Sequence, residues 1–410
     1  MWMKSSSGII LISGLCFAIL MSACASRHVI KADSTPAAKA QTDIAEDQLL
    51  DVGVVTFDPG LPEDEKELKE KNIFPEVRKA EARYIPYNIK TTLENTGYWG
   101  AVRALPAETG AMDVVVKGKI AFSNGEKLIL SITVQDATGR EWLTKEYTDT
   151  ASKYAYRKRS PQDEDPFQDL YNAIANDMLA IRNQLSGKEI RRIRTVSELR
   201  FAAELSPYAF ENDLRVSDAG RYSINRLPAA SDPMLKRVRK IRERDYRLVD
   251  TLDGHYANFH HDMKQAYNEW RKNSYEENVA LQEVKASARN RMLLGAVAVL
   301  AGIFGASQSA SSVGRTAGTV AILGGAAVVK SGIDKYGESK IHTEALKELG
   351  DSFEAEVSPQ VVQVEDRTIT LTGSAEAQYA EWRRLLREIY ATETGFAPTE
   401  QTLPDTPRAQ

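Results

Sequence analysis

The stretch Met112-Asp113-Val114-Val115-Val116-Lys117-Gly118-Lys119-Ile120 decides how this chain folds. A short apolar run rich in β-branched residues favours a strand over a helix. Asn124-Gly125 follows, a dipeptide suited to a tight hairpin. Beyond it Leu128, Leu130, Ile132 and Val134 recur every second residue, which gives the next strand one buried face. Strands are therefore expected over 112–122, 127–135 and 141–149, with residues 137–139 closing the second turn.

Outward from this meander the elements alternate. Residues 49–57 form a β-rich apolar run closed by Asp58-Pro59-Gly60, and an acidic, lysine-rich loop is expected over 61–72. A helix is expected over 76–94, with Val77, Ala80, Tyr84, Ile89 and Leu93 on its apolar face and a kink at Pro86. Asn95-Thr96-Gly97 stops it, and 98–104 reads as a short strand. After the meander, Phe167, Leu170, Ile174, Met178, Ile181 and Leu185 recur at helical spacing behind Asp165-Pro166. The order over 48–186 is β-α-β-β-β-β-α, an α+β domain.

That order, with the quoted phrase leading into a meander, resembles the periplasmic domain of the curli-export lipoprotein CsgG and the related N-terminal domain of TolB. The resemblance covers about a third of the chain. It implies a fold and carries no residue-level function.

Residues 187–230 read as a helical and loop linker. Its helix, 190–205, carries Arg191, Arg192 and Arg194, read as a solvated face. Ser231-Asp232-Pro233 then looks like a helix start with proline at the first helical position. No proline follows until Pro359, and Leu252, Tyr256, Phe259, Met263, Tyr267 and Trp270 are spaced like a coiled-coil seam. A long antiparallel helical hairpin is expected over 231–358. The last elements are two strands, 361–364 and 368–372, and an amphipathic helix, 375–392, making a ββα unit over 359–392. Residues 393–410, rich in Pro and Thr, are expected to be disordered.

The tip of the hairpin carries two glycine-rich apolar arms, 292–306 and 316–332. Gly295, Gly302, Gly318, Gly325 and Gly332 recur every seven residues within each arm, and Ala298, Gly305, Gly314 and Ala321 fill intermediate positions. On a helix they form a nearly side-chain-free seam, on which another helix can approach closely. Arms of this length span about 22–26 Å, short of the roughly 30 Å hydrocarbon core. The pattern resembles the glycine-zipper segments of several outer-membrane lipoproteins.

At the N-terminus, Lys4 and the apolar run 9–21 have the form of a signal peptide, taken as residues 1–23. Leu20-Met21-Ser22-Ala23-Cys24 resembles the lipobox of bacterial lipoproteins, with Met21 departing from the usual leucine. The resemblance implies cleavage before Cys24, diacylglycerol on its thiol and acylation of its new amine. Ala25 and Ser26 follow with no aspartate, which in that family implies the outer membrane, facing the periplasm. Residues 24–47 read as a disordered tether.

Composition narrows the function. The two cysteines are Cys16 and Cys24, so a lipidated mature chain has no thiol for a disulfide, a zinc site or a nucleophile. A net charge of −4 does not suggest a nucleic-acid binder. His255, His260 and His261 share no single helix face, so no metal site is expected, and no cofactor. No phosphate loop or Gly-x-Ser-x-Gly elbow is present, and no catalytic residue is assigned. Tyr154 and Tyr156 beside Arg157, Lys158 and Arg159 read as a strand end and basic loop. The expected role is non-enzymatic: a lipid-anchored scaffold or assembly protein that forms a homo-oligomer or docks an envelope partner through the glycine seam. A ring-forming pore or export component, and a ligand- or glycan-binding lipoprotein, stay open beside it.

Overall fold

The computed structural model describes residues 35–71, 73–152, 154–156, 164–229, 231–305, 344, 347–348, 351, 360–364 and 367–395; from residue 283 to 305 it describes the backbone alone. Five strands form the main sheet: β1 (Val52–Val55), β2 (Val102–Leu105), β3 (Val114–Ser123), β4 (Lys127–Asp136) and β5 (Glu141–Thr150). Their spatial order is β2-β1-β3-β4-β5. The central strand β1 is parallel to both neighbours, whereas β3, β4 and β5 form an antiparallel meander. The chain is thus α+β, with the sheet in the expected element order.

Helix α1 (Glu65–Glu70) lies where a loop was expected. Six residues of Glu, Lys and Leu have good helix propensity, which outweighed the polar composition. Helix α2 (Pro75–Glu94) and α3 (Gln168–Arg182) pack on one face of the sheet. On β4 the alternate residues Leu128, Leu130, Ile132 and Val134 are fully buried against them. Pro86 sits inside α2 and cannot donate to the carbonyl four residues back. That carbonyl, on Ala82, accepts instead from the Phe57 amide at 2.9 Å, tying the end of β1 to α2. Phe57 in turn explains the glycine in the quoted phrase. A Cβ on Gly118 would stand 2.5 Å from the Phe57 ring, so only glycine lets the ring lie over β3.

Helix α4 (Gly187–Leu205) starts with a capping box between Ser186 and Glu189. A four-residue turn of helix, α5 (Pro207–Phe210), follows, and the expected loop beyond it contains a small hairpin, β6 (Leu214–Val216) with β7 (Tyr222–Ile224). Helix α6 runs from Pro233 to Gly305 without interruption. Asp232 caps it, its carboxylate accepting the amides of Met234 and Leu235 at 2.7 and 3.2 Å. The C-terminal unit is the hairpin β8 (Gln360–Val364) and β9 (Arg367–Leu371), followed by α7 (Ala375–Thr394), which ends on Gly395 in the left-handed conformation.

The second apolar core ignores the expected borders at 186/187, 230/231 and 358/359. It joins Val77 and Tyr84 of α2, Phe201 of α4, Leu252 and Met263 of α6, and Trp382 and Leu386 of α7. The first half of α6 is therefore packed into the α+β body and overlaid by the C-terminal unit. The second glycine arm, 316–332, and the signal segment lie outside the described residues, and of the returning half of the hairpin only residues 344, 347–348 and 351 are described, as helix. The tail expected to be disordered over 393–410 begins as the end of α7, and from 396 it too lies outside. Part of the tether is ordered: residues 35–48 run along α3 and α4, held as described below.

Candidate functional site

The site that the fold builds most elaborately is the seat of α6. Its coiled-coil-like residues Leu252, Tyr256, Phe259, Met263, Tyr267 and Trp270 are all buried, though against the α+β body. Several charged and polar groups beside this stripe have partners on other elements. Asp245 takes the Arg383 guanidinium at 3.0 Å, while Arg383 also reaches Glu204, so α4, α6 and α7 meet at one buried cation. Arg103 of β2 donates to Asp250 at 2.6 Å. Asp253 accepts the Ala104 amide at 2.8 Å and pairs with Lys90 of α2 at 3.1 Å.

Further along, Tyr267 and Ser123 both donate to one oxygen of the fully buried Glu81, at 2.6 and 2.5 Å. Arg271 reaches Asp165, and Asn278 and Gln282 reach the β3–β4 turn at Asn124 and Glu126. From Asp245 to Gln282 these ties cover about 55 Å of helix at 1.5 Å per residue.

Burial sets the charge states along the seat. It pushes the Asp245 carboxyl up, against the opposing pull of Arg383. Burial alone would lower the Arg271 guanidinium, but Asp165 and the tyrosines around it hold it well above its ordinary value. His260 is stacked on Tyr84, with ring centroids 4.1 Å apart, and bonds Asn88 at 2.8 Å. Burial pulls its pKa down to about 4, so it is a neutral ring wedged between α2 and α6.

Beside the seat, a cleft of about 720 Å³ opens at the N-terminal ends of β1 and β3, lined by Asp51, Asp113, Arg194, Glu198, Arg242 and Tyr246 among others. Its charged groups are held by hydroxyls, backbone groups and two ion pairs. Asp113 accepts from Ser197 and from the Asp51 amide, and burial pushes its carboxyl up. Arg242 donates to Ser197 at 3.0 Å and to the Ala111 carbonyl, Arg239 holds Glu198, and Arg191 holds Asp47 at 3.0 Å. Arg194 donates to the carbonyls of Glu46 and Leu49. Two of the three arginines expected on a solvated helix face thus clamp the incoming chain.

The rest of that incoming segment is held by α3. The amides of Thr35 and Ala38 donate to Asp169 and Asn176 at 3.0 and 2.9 Å, and the side chains of Asn172 and Asn176 donate back to the carbonyls of Thr35 and Pro36 at 2.9 and 3.0 Å. Asp169, Asn172 and Asn176 share one helix face by their spacing, the only sequence signal for this strap. It was readable only as the polar side of an amphipathic helix.

Of the residues singled out in the sequence, Gly295, Ala298, Gly302 and Gly305 lie in the helical backbone at the end of α6. Cys24, Gly314, Gly318, Ala321, Gly325 and Gly332 lie outside the described residues, as do Arg157, Lys158 and Arg159. Tyr156 packs against Tyr275 of α6, with centroids 5.4 Å apart. His255 meets Gln360, so the helix histidines turn to different neighbours. Among the described residues no cluster could hold a metal ion, and no helix is long and apolar enough to cross a membrane. The chain matches no protein-family model, and no curated protein matches it.

Proposed function

We propose that this chain is a non-enzymatic lipoprotein of the outer membrane, anchored through Cys24, whose α+β body is a mount for a long helix that oligomerises or docks through its glycine-bearing end. The observation that carries the reading is the seat of α6. Buried ion pairs and aromatic contacts grip the helix as far as Tyr275, hydrogen bonds extend the hold to Gln282, and the same helix continues 23 residues further, through Gly295, Ala298 and Gly302, to Gly305. A body that fixes one half of a helix so firmly gives the other half a defined direction. The seam of small residues suits close helix packing once a partner helix is beside it.

Two measurements test this. Detergent-extracted full-length protein, sized by chromatography with light scattering, is expected to be an oligomer or a complex with an envelope protein. Gly302→Leu with Gly325→Leu is expected to release it; assembly unchanged by both leucines would refute the seam. Intact-mass analysis of the membrane-extracted chain is expected to find Cys24 at the N-terminus with acyl chains, and Cys24→Ala to leave the protein unprocessed.

A further inference from the structure

A second, smaller hollow lies on the opposite end of α4 from the body's long helix, and it has the character of an anion site. Its volume is about 220 Å³, and it is lined by Arg140 of the β4–β5 turn, Arg192 of α4 and Arg221 of the β6–β7 turn, with Thr138 and Tyr222. The two turns are held in backbone contact. Gly139 has φ +78°, and a Cβ there would stand 2.3 Å from the Gly220 carbonyl oxygen, while the Tyr222 amide donates to the Thr138 carbonyl at 2.8 Å. The close approach brings Arg140 and Arg221, each one residue past its glycine, to the same rim.

Two carboxylates share the hollow, and both oxygens of Asp136 and one of Glu189 accept hydrogen bonds from elsewhere. One oxygen of Asp136 accepts the Thr138 amide and hydroxyl and, at 3.3 Å, the Arg140 amide; the other accepts the Trp142 indole at 2.8 Å. Glu189 serves the capping box, accepting the Ser186 amide and hydroxyl at 2.8 and 2.7 Å. Its remaining oxygen stands 3.9 Å from Arg140, too far for a hydrogen bond. Among the described residues no carboxylate stands within 4 Å of Arg192 or Arg221. The Ser186 hydrogen bonds, with the charges of Arg140 and Arg192, hold the Glu189 carboxyl below its ordinary value, so three guanidinium groups face two carboxylates here. Arg200, which donates to the Ala137 carbonyl at 3.0 Å, stacks over the Tyr222 ring at 4.3 Å and adds a fourth positive charge behind the rim.

We propose that this hollow binds a phosphate-type oxyanion, held by Arg192 and Arg221 with Arg140 alongside. Guanidinium groups converging from three separate elements suit an oxyanion with several acceptor oxygens, since each can donate two parallel N–H bonds. The same chemistry is offered by free phosphate and by the phosphate of an anionic lipid headgroup. The site is independent of the glycine seam and of the lipidation reading.

The test is site-resolved. Full-length protein in detergent is treated with phenylglyoxal, and modification of individual arginines is read by mass spectrometry, with and without inorganic phosphate at constant ionic strength. Arg192 and Arg221 are expected to be protected in a saturable way, while the exposed Arg215 and Arg247 are unaffected. A parallel arm reconstitutes the protein into phosphatidylcholine vesicles with or without phosphatidylglycerol; protection only there assigns the oxyanion to a lipid headgroup. Protection by neither anion, or equal protection at Arg215 and Arg247, overturns the proposal. Arg192→Gln with Arg221→Gln, both on exposed side chains, is expected to fold normally and weaken phosphate binding about tenfold or more. Unchanged affinity in that variant also overturns it.

Discussion

Arg271 places one guanidinium nitrogen 2.9 and 3.1 Å from the two carboxylate oxygens of Asp165, and both side chains are almost fully removed from water. The pair joins α6 to the segment that leads into α3. Around it stand Tyr267, 4.2 Å from the guanidinium carbon to the ring centre, and Phe167, at 5.9 Å. Removing one member strands a charge in an apolar enclosure. Arg271→Met or Asp165→Leu alone is expected to lower unfolding free energy by about 3–5 kcal/mol, whereas the double substitution recovers most of the loss. Urea unfolding of the three variants checks this; single variants as stable as the parent would remove the pair from the seat.

His260 makes the seat sensitive to acid. Its folded pKa, about 4, lies below the ordinary 6.5, so the unfolded chain binds more protons between these values. The stability that depends on neutral His260 is therefore complete above pH 6.5 and is lost as pH falls toward 4, by up to about 3 kcal/mol. His260→Gln is expected to show a shallower decline over that window than the parent. Comparing the two pH profiles cancels the carboxylates that titrate in both. Parallel profiles would show that the ring is not a titrating wedge.

The strap of residues 35–38 rests on three side chains of α3. Asn172→Ala with Asn176→Ala removes both donors to its carbonyls and the acceptor for Ala38, and leaves the buried face of α3 intact. Hydrogen exchange at the Ala38 amide is expected to accelerate by about tenfold or more, with little change in global stability. The same rate in parent and variant would mean that the strap is held by something other than these amides.

Gly139 is the tightest point in the contact between the β4–β5 and β6–β7 turns. An alanine there would both adopt a left-handed backbone and meet the Gly220 carbonyl, at a cost of about 1–3 kcal/mol. Thermal unfolding of Gly139→Ala measures that cost. Gly220→Ala, whose Cβ meets nothing within 4 Å, bears the backbone strain alone and is expected to lose less.

The elements of the body were legible because each carries a local signal. The valine run, Asn124-Gly125 and the alternation on β4 mark the meander, and the stripe from Phe167 to Leu185 marks α3. Helix α1 and the β6–β7 hairpin were not legible. One is a polar helix without an apolar face, and the other has strands of three residues, too short for a period. The candidate site was legible only in its apolar half. Leu252 to Trp270 announced a buried stripe, but Asp165, Glu81 and Arg103, which meet α6 from residues far away in the chain, carry no sign of partnership in their own neighbourhoods.

The sequence by itself determined the order of the main-sheet strands and of the helices packed on them, the long proline-free helix and the small-residue pattern on its far half, because these depend on short-range propensity and period. Which face of α6 finds which surface was decided by the tertiary structure. The spacing of Leu252 to Trp270 matches a coiled-coil seam as well as a stripe laid on a globular body. Only the complementary carboxylates, cations and rings of β2, α2 and α7 select the second. Selection of that kind needs groups far apart in sequence to share one enclosure, and burial, which gives their charges consequence, exists only once the chain has folded.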